Sequence, residues 1–379
     1  MIYNFEVEGF KGFEEKISLD LSHRKNYEFN PECIKDGVVN KSIIYGANGI
    51  GKSNLGVAIF DIVSHLTEHF VSKKGYDFYL NARNKTGYAK FKYSFKFDNH
   101  NIIYEYWKKG INEIARETLI FDSDIVAEIK RDVDSIANFS LPGTETLKTD
   151  LSESKISIIN YIKNNAVLSD GVKKDIFLKF IKFVDGMLYF RSIEENSFIG
   201  LEDSVSSIPD DILKRGNISD FQSFLSLAGI DYNLCVSKSR NGGDDIGVDF
   251  GDGKIIPFFS IASTGTKALY LFYFWMQRIR CDGAVSFVFI DEFDAFYHHE
   301  LSLFIVKKMK DAQAQTIMTT HNTSVMSNDL LRPDCYFVMD KTGISPLSDK
   351  TDKDLRQAHN IEKMYKAGTF SSSVVKNHG

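Results

Sequence analysis

The sequence predicts an α/β protein with a central parallel sheet, and three observations favour this class. An apolar run at 42–45 leads into a glycine-rich stretch at 46–53, and a helical pattern follows. A second apolar run at 284–290 ends in two acidic residues, and a third at 316–320 ends in a histidine. Apolar strands that alternate with helical segments are typical of a parallel sheet with crossover helices. The polar residues that follow these strands are therefore expected at one edge of the sheet.

The N-terminal part predicts antiparallel strands. Residues 2–8 and 17–21 alternate between apolar and polar side chains around a turn, which is typical of a β-hairpin. The alternation returns over 88–119, with its clearest run at 89–97. It indicates an antiparallel sheet with one face in solvent. We assign 1–121 to the N-terminal half of the predicted domain.

The glycine-rich stretch is a complete phosphate-binding P-loop, followed by a predicted helix over 54–66. Its glycines allow successive backbone N–H groups to face inward, and the helix that begins near Ser53 adds the positive end of its dipole. Lys52 can reach the β- and γ-phosphates, and the Ser53 hydroxyl is suited to Mg²⁺. The P-loop therefore predicts that ATP and Mg²⁺ are bound, with the following residues in contact: Gly46, Asn48, Gly49, Gly51, Lys52 and Ser53.

The middle of the chain predicts helices. Apolar residues recur at helical spacing around 156–162 and 176–184, so we interpret 122–226 as a helical insertion. The segment 227–379 then forms the C-terminal half of the domain. It begins with strands over 232–259 and continues with alternating helices and strands.

The apolar run at 284–290 has the pattern of a Walker B strand. It ends in Asp291 and Glu292. In a P-loop protein, Asp291 would hold Mg²⁺ and Glu292 would orient or deprotonate the attacking water. Two acids after a strand mean little alone, but after a P-loop they predict the second half of an ATP site.

Four further positions extend this prediction. Ser263 and Gly265 precede an apolar helix at 268–276 and resemble the serine and second glycine of an ABC signature loop, which binds a γ-phosphate. Asp294 resembles a D-loop aspartate, and His321 resembles a switch histidine that senses the γ-phosphate. Lys52, Glu292 and His321 are thus the catalytic candidates. The sequence assigns no Q-loop glutamine.

The order and spacing of these motifs resemble the ABC-type AAA ATPases related to SMC, RecF and OLD proteins. Within that group the chain is most similar to the RloA or AbiL type of bacterial phage-defence loci. The resemblance covers nearly the whole chain and includes, besides the ATP motifs, the stretches 104–106, 117–119, 290–295 with His298, 331–334 and 360–365.

This resemblance implies an ABC-type ATPase head that pairs head to tail. Lys52 of one subunit and Ser263 of the other would bracket the same ATP in a homodimer, from which higher oligomers could be built. It also implies a separate effector protein, of the Toprim, HNH or RloB-like kind. Three functions stay open: a regulator of such an effector in anti-phage defence, a RecF-like DNA-repair factor, and a nucleotide-binding scaffold without turnover.

Composition restricts the classes further. The net charge is −5 and the sequence pI is about 6.0, which argues against broad binding of polyanions, although nucleic acid stays possible. The four cysteines, Cys33, Cys235, Cys281 and Cys335, lie far apart and favour reduced thiols in a cytoplasm. The longest apolar run, 268–276, is too short to span a bilayer, so no membrane association is expected.

One other pattern is set aside. Residues 65–69, with the sequence HLTEH, match the inverzincin zinc motif. Because they fall on the helix that leaves the P-loop and no third ligand is suggested, we interpret them as a solvated helix face without a metal.

Overall fold

The computed structural model describes residues 1–22, 25–69, 73–191, 198–200, 208–239, 242–280, 283–295 and 299–370. The strands are β1 (Ile2–Glu8), β2 (Ile17–Asp20), β3 (Ile34–Lys35), β4 (Val38–Val39), β5 (Lys41–Tyr45), β6 (Ala89–Phe97), β7 (His100–Gly110), β8 (Glu113–Phe121), β9 (Asp124–Lys130), β10 (Asn138–Phe139), β11 (Met187–Arg191), β12 (Phe198–Gly200), β13 (Leu234–Lys238), β14 (Asp244–Asp249), β15 (Ile255–Pro257), β16 (Phe287–Asp291), β17 (Gln315–Thr320), β18 (Tyr336–Asp340) and β19 (Gly343–Pro346). The helices are α1 (Lys52–Ile59), α2 (Val63–Leu66), α3 (Ile158–Asn165), α4 (Val172–Asp185), α5 (Ile208–Lys214), α6 (Ile218–Leu227), α7 (Phe258–Ile261), α8 (Thr264–Arg280), α9 (His299–Lys310) and α10 (Ile361–Lys366).

A mostly parallel sheet forms the centre of the fold, in the order β12-β11-β16-β17-β5-β18-β19. Its inner strands β11, β16, β17, β5 and β18 are parallel, and every residue of β5, β16 and β17 is buried. Thr320 at the end of β17 lies opposite Tyr45 at the end of β5. The carboxyl ends of these strands therefore meet at one edge, as the sequence predicted.

An antiparallel sheet in the order β10-β9-β8-β7-β6-β1-β2 forms a second layer. The predicted N-terminal hairpin is present as β1 and β2. This sheet contacts the helix that follows the P-loop, because the hydroxyl of Tyr93 donates to the carbonyl oxygens of Ala58 (3.0 Å) and Ile59 (3.2 Å). The predicted fold class is confirmed: an α/β P-loop fold with N-terminal antiparallel strands.

The interpretation of 122–226 as a helical insertion is incomplete. The segment contains α3 to α6, but β9 and β10 extend the antiparallel sheet, and β11 and β12 extend the central sheet. The apolar run of β11, Met187–Arg191, is too short for its period to separate a strand from a buried helix. It lies directly beside the Walker B strand β16.

The predicted helix over 54–66 is two helices, α1 and α2, with a turn between them. Asp61 lies in this turn and is fully buried. Its carboxylate accepts hydrogen bonds from the hydroxyls of Tyr79 and Tyr106, both at 2.9 Å, and from Lys108 Nζ at 2.8 Å. Tyr106 and Lys108 belong to β7, so Asp61 joins the P-loop helix to the antiparallel sheet.

Lys41 gives the fold a pH dependence. It is buried at the start of β5, where its Nζ donates to the carbonyl oxygens of Ala312 (2.6 Å) and Ala314 (2.5 Å). Burial lowers the pKa of Lys41 from 10.5 to about 7. Between these two values the unfolded chain binds a proton that the folded chain does not, so stability should rise with pH, by up to about 1.4 kcal/mol per pH unit.

Below pH 7 both states carry the proton, and this contribution should be constant. Urea unfolding at several pH values between 7 and 10 measures the slope, with Lys41→Met as the comparison. The variant should lose part of the slope. Equal slopes in the two proteins would contradict the assignment to Lys41.

Candidate nucleotide site

The P-loop has the backbone that its glycines allow. Gly49 and Gly51 have φ angles of 76° and 113°, in the left-handed region that favours glycine. A Cβ atom on Gly46 would lie 2.9 Å from both Ile50 Cγ2 and the Met339 carbonyl oxygen, so a larger residue there would displace its neighbours. Gly51 precedes α1 and provides no side-chain cap, which leaves the first N–H groups of the helix available for an anion.

Lys52 lies within the P-loop and is only 5% exposed. Its Nζ donates to the carbonyl oxygens of Gly46 (2.7 Å) and Ala47 (3.2 Å). Burial lowers the pKa of Lys52, and the nearby carboxylates of Glu292, Asp291 and Asp294 oppose that shift. The structure therefore brings the P-loop lysine together with the acids that follow the Walker B strand. Asn48 lies in the same loop and is exposed. Ser53 lies in the first turn of α1 and is half-buried.

Asp291 ends β16 and is fully buried. Its Oδ1 accepts a hydrogen bond from the Thr319 hydroxyl at 2.7 Å. Its Oδ2 lies 3.3 Å from Arg191 Nε and 3.5 Å from the Tyr189 hydroxyl. Both carboxylate oxygens are thus oriented by residues of the strands on either side of β16.

Glu292 has an unusual backbone. Its φ angle is 48°, in the left-handed region that only a small fraction of non-glycine residues adopt. The Thr319 hydroxyl oxygen accepts the Glu292 backbone N–H at 2.8 Å and holds this turn in place. The carboxylate is 19% exposed and 3.9 Å from the Arg191 guanidinium. Strained backbone conformations of this kind cluster at functional sites.

Asp294 follows Asp291 by three residues, just after the end of β16. The Thr320 hydroxyl donates to its Oδ1 at 2.7 Å, while Oδ2 is buried with no hydrogen-bond partner among the described residues. Burial raises the pKa of Asp294; the hydrogen bond from Thr320 opposes this most, and the nearby His321 opposes it to a smaller extent. His321 follows β17 and is exposed. The two candidates are therefore neighbours at the same sheet edge as Lys52.

Ser263 lies elsewhere in the subunit. Its hydroxyl contacts the Thr266 hydroxyl (2.9 Å) and accepts the Thr266 backbone N–H (3.2 Å), so it caps the long helix α8, and Gly265 lies in the first turn. Phe272 of α8 packs on Phe190 near the end of β11. Phe272 lies eight residues after the start of α8, so the N-terminus of the helix is about 12 Å from that contact along the helix axis. In the described part of the chain, no contact joins Ser263 to Lys52.

Sequence reasoning missed Arg191, Tyr189, Thr319 and Thr320. The two threonines directly precede His321, so a polar pair at the end of a buried strand was a usable signal. Arg191 gave no such signal, because β11 lay in the segment interpreted as helical. Cys281 and His298, which the sequence analysis named, lie outside the described residues.

The donor set fits a magnesium nucleotide. In the described ranges no group of three or more His, Cys, Asp or Glu side chains could hold a metal alone. A cation at Asp291 would need other oxygen ligands, which Ser53 and the phosphates of a nucleotide in the P-loop could supply. Mg²⁺ is commonly bound in this way, through one or two carboxylates and substrate phosphates.

The zinc-like pattern at 65–69 has another role. The two ring nitrogens of His65 bond to the Tyr104 hydroxyl (2.9 Å) and the Asp61 carbonyl oxygen (3.2 Å). His69 Nε2 contacts the Asp185 carbonyl oxygen at 3.0 Å. The predicted solvated helix face is therefore wrong, because the helix ends at Leu66 and both histidines bond to other parts of the protein.

The fold and the P-loop geometry define a P-loop ATPase domain. A family model described as "AAA domain, putative AbiEii toxin, Type IV TA system" matches residues 41–327, and the chain belongs to that family. No curated protein matches the sequence. Over the described residues, no helix is both long enough and apolar enough to cross a bilayer.

Solved structures with similar folds include heads of SMC proteins. The SMC head domain from Thermotoga maritima is 16% identical, with 91% of this chain and 98% of that chain covered and a TM-score of 0.41. An Smc head from Pyrococcus furiosus, with a coiled coil and bound to the C-terminal domain of ScpA, is 12% identical, with coverages of 92% and 97% and a TM-score of 0.45. An Smc head from Pyrococcus yayanosii is 11% identical, with coverages of 96% and 99% and a TM-score of 0.45.

Proposed function

We propose that this protein binds ATP with Mg²⁺ and hydrolyses it. The observation that carries the proposal is the convergence of Lys52 with Asp291, Glu292 and Asp294 at the edge where β5 and β16 end. A buried cation inside a glycine-rich loop at a helix N-terminus suits a triphosphate. The carboxylates beside it are suited to bind a metal ion and to orient a water molecule.

Each residue has a distinct task in this proposal. Lys52 clamps the phosphates, and Ser53 and Asp291 hold Mg²⁺, which when bound neutralises charge on the phosphate oxygens. Glu292 orients the attacking water and takes its proton, since its carboxylate is the more exposed of the two. His321 and Asp294 adjoin this group and would respond to the γ-phosphate.

We further propose that a second copy of the chain completes the site. The start of α8 is accessible, since Ser263 and Thr264 are exposed and Gly265 is half-buried. A hydroxyl and free N–H groups at a helix N-terminus are suited to an anion, which here would be the γ-phosphate bound to the other subunit. The dimer would be head to tail, with two such sites.

A mixing experiment tests this arrangement. Lys52→Ala and Ser263→Arg should each abolish ATP turnover as pure proteins, because each spoils both sites of its dimer. In a mixture, a heterodimer has one site with intact Lys52 and intact Ser263. Equal amounts should therefore recover about a quarter of wild-type turnover after subunit exchange.

The outcome separates the possible failures. Recovery of activity supports sites shared between subunits. No recovery, with an active wild type, would contradict the dimer and leave hydrolysis standing. A wild type that binds ATP without turnover would favour the nucleotide-binding scaffold.

In the cell, we propose that ATP turnover switches the protein between states that hold or release a separate effector in anti-phage defence. The AbiEii-type family description supports this class of role. An RloA or AbiL type of system, with a Toprim, HNH or RloB-like effector encoded nearby, is the specific form proposed. Cells that carry the gene with its neighbours should resist phage, and the Lys52→Ala variant should remove that resistance.

A DNA-binding role has less support. On the outer face of the antiparallel sheet, the basic residues of one cross-strand row are paired with acids. These ion pairs are Lys90 with Glu8, Arg116 with Asp132 and Lys130 with Glu128. Paired cations are poor sites for phosphates. Strong, salt-dependent binding of DNA by the purified protein would reverse this preference.

A further inference from the structure

Arg191 is a basic side chain beside Asp291, the residue proposed to bind the metal ion. It is the last residue of β11 and lies directly opposite Asp291 in the parallel register of β11 and β16. Its side chain is 24% exposed, and its guanidinium reaches both acids, with Nε 3.3 Å from Asp291 Oδ2 and a terminal nitrogen 3.9 Å from Glu292 Oε2. Arg191 therefore places one positive charge beside the two carboxylates, closer to Asp291 than to Glu292.

The two oxygens of Asp291 differ in their charged neighbours, because Arg191 lies 3.3 Å from Oδ2 and the Tyr189 hydroxyl lies 3.5 Å from the same oxygen. Oδ1 accepts the Thr319 hydroxyl at 2.7 Å, and Thr319 also holds the Glu292 backbone. Oδ2 faces Arg191. A divalent cation that contacts Asp291 through Oδ2 would meet the guanidinium at the same oxygen, and two cations repel one another strongly where they are shielded from water.

We propose that Arg191 competes with the divalent cation for Asp291, so that the site takes up the cation with the nucleotide and hardly at all without it. The inference rests on the proposed function for the identity of the cation. Before binding, Arg191 compensates the buried charge of Asp291. When the cation enters, Arg191 withdraws from Oδ2, and the phosphates of the nucleotide supply the extra attraction that offsets this loss.

Binding of Mn²⁺ alone to the nucleotide-free full chain tests the competition. Electron paramagnetic resonance of free Mn²⁺ gives the dissociation constant. Arg191→Met removes the competing charge and should bind Mn²⁺ about tenfold more tightly than the wild type. Arg191→Lys keeps a cation and should stay closer to the wild type. Arg116→Met, which breaks the distant ion pair with Asp132, is the matched control and should change nothing.

Adding Asp291→Asn to Arg191→Met should remove the gain, since the Mn²⁺ ligand is lost. If Arg191→Met fails to fold, Arg191→Gln provides a polar side chain without the charge and carries the same expectation. Mn²⁺ affinity that is unchanged or weaker in a folded variant overturns the inference. A wild type without ATP binding or turnover would count against the proposed function instead, because the Mn²⁺ measurement does not use nucleotide.

Discussion

Replacing Glu292 with glutamine should reduce ATP turnover at least about 100-fold while ATP still binds. The amide has nearly the same shape as the carboxylate, so the left-handed turn and the contact with Thr319 should persist. It cannot accept a proton from the attacking water. Lys52 and the P-loop, which hold the nucleotide, are unchanged by the substitution. A steady-state phosphate-release assay and binding of a fluorescent ATP analogue measure the two effects separately.

The matched control is Glu300→Gln, the same chemical change at an exposed position in the first turn of α9. It should retain wild-type turnover. The Glu292→Gln protein should also sediment as a dimer in ATP, because the nucleotide that joins the subunits is no longer consumed. Normal turnover by Glu292→Gln would mean that another group activates the water.

The largest effect on stability is expected at Asp61. Asp61→Asn should lower the free energy of unfolding by roughly 3–5 kcal/mol, the range for breaking a buried ion pair. Lys108 and Asp61 are both fully buried and lie 2.8 Å apart. Burial lowers the pKa of Lys108, and the Asp61 carboxylate opposes that shift. Without the carboxylate, the ammonium group has lost the charge that compensates its burial.

Urea unfolding followed by circular dichroism measures this loss. Asp124→Asn, which breaks the exposed ion pair of Asp124 with Lys173 at 3.0 Å, is the control and should resemble the wild type. The double variant Asp61→Leu with Lys108→Met should be more stable than Asp61→Asn, since neither charge is left buried alone. A small effect of Asp61→Asn, similar to that of the control, would contradict this account.

The sequence predicted the parts of the site that depend on local backbone. Each of these parts follows a buried strand: the P-loop, Asp291 with Glu292, and His321. The carboxyl ends of parallel strands lie at one edge of the sheet, independently of the other elements of the fold. Neighbouring residues in the sequence were sufficient for these predictions. The position of Ser263 relative to a nucleotide depends on a second subunit and stays a prediction.

The residues that sequence reasoning missed depend on contacts between distant segments. Arg191 reaches Asp291 because β11 pairs with β16. The apolar run of β11 has only five residues, which is too short to predict a strand or its pairing partner from the sequence. The turn between α1 and α2 was missed for a similar reason. Asp61 looks like an ordinary polar residue on a helix until Tyr79, Tyr106 and Lys108 are placed around it.

The left-handed backbone at Glu292 implies a compromise between durability and chemistry. Glycine would adopt this conformation with the least strain, and any other residue costs about 1 kcal/mol or more. Glycine, however, has no group that could accept a proton. The proposed reaction therefore requires a strained residue at position 292, and the free energy of unfolding is lower than the same fold could reach with glycine there.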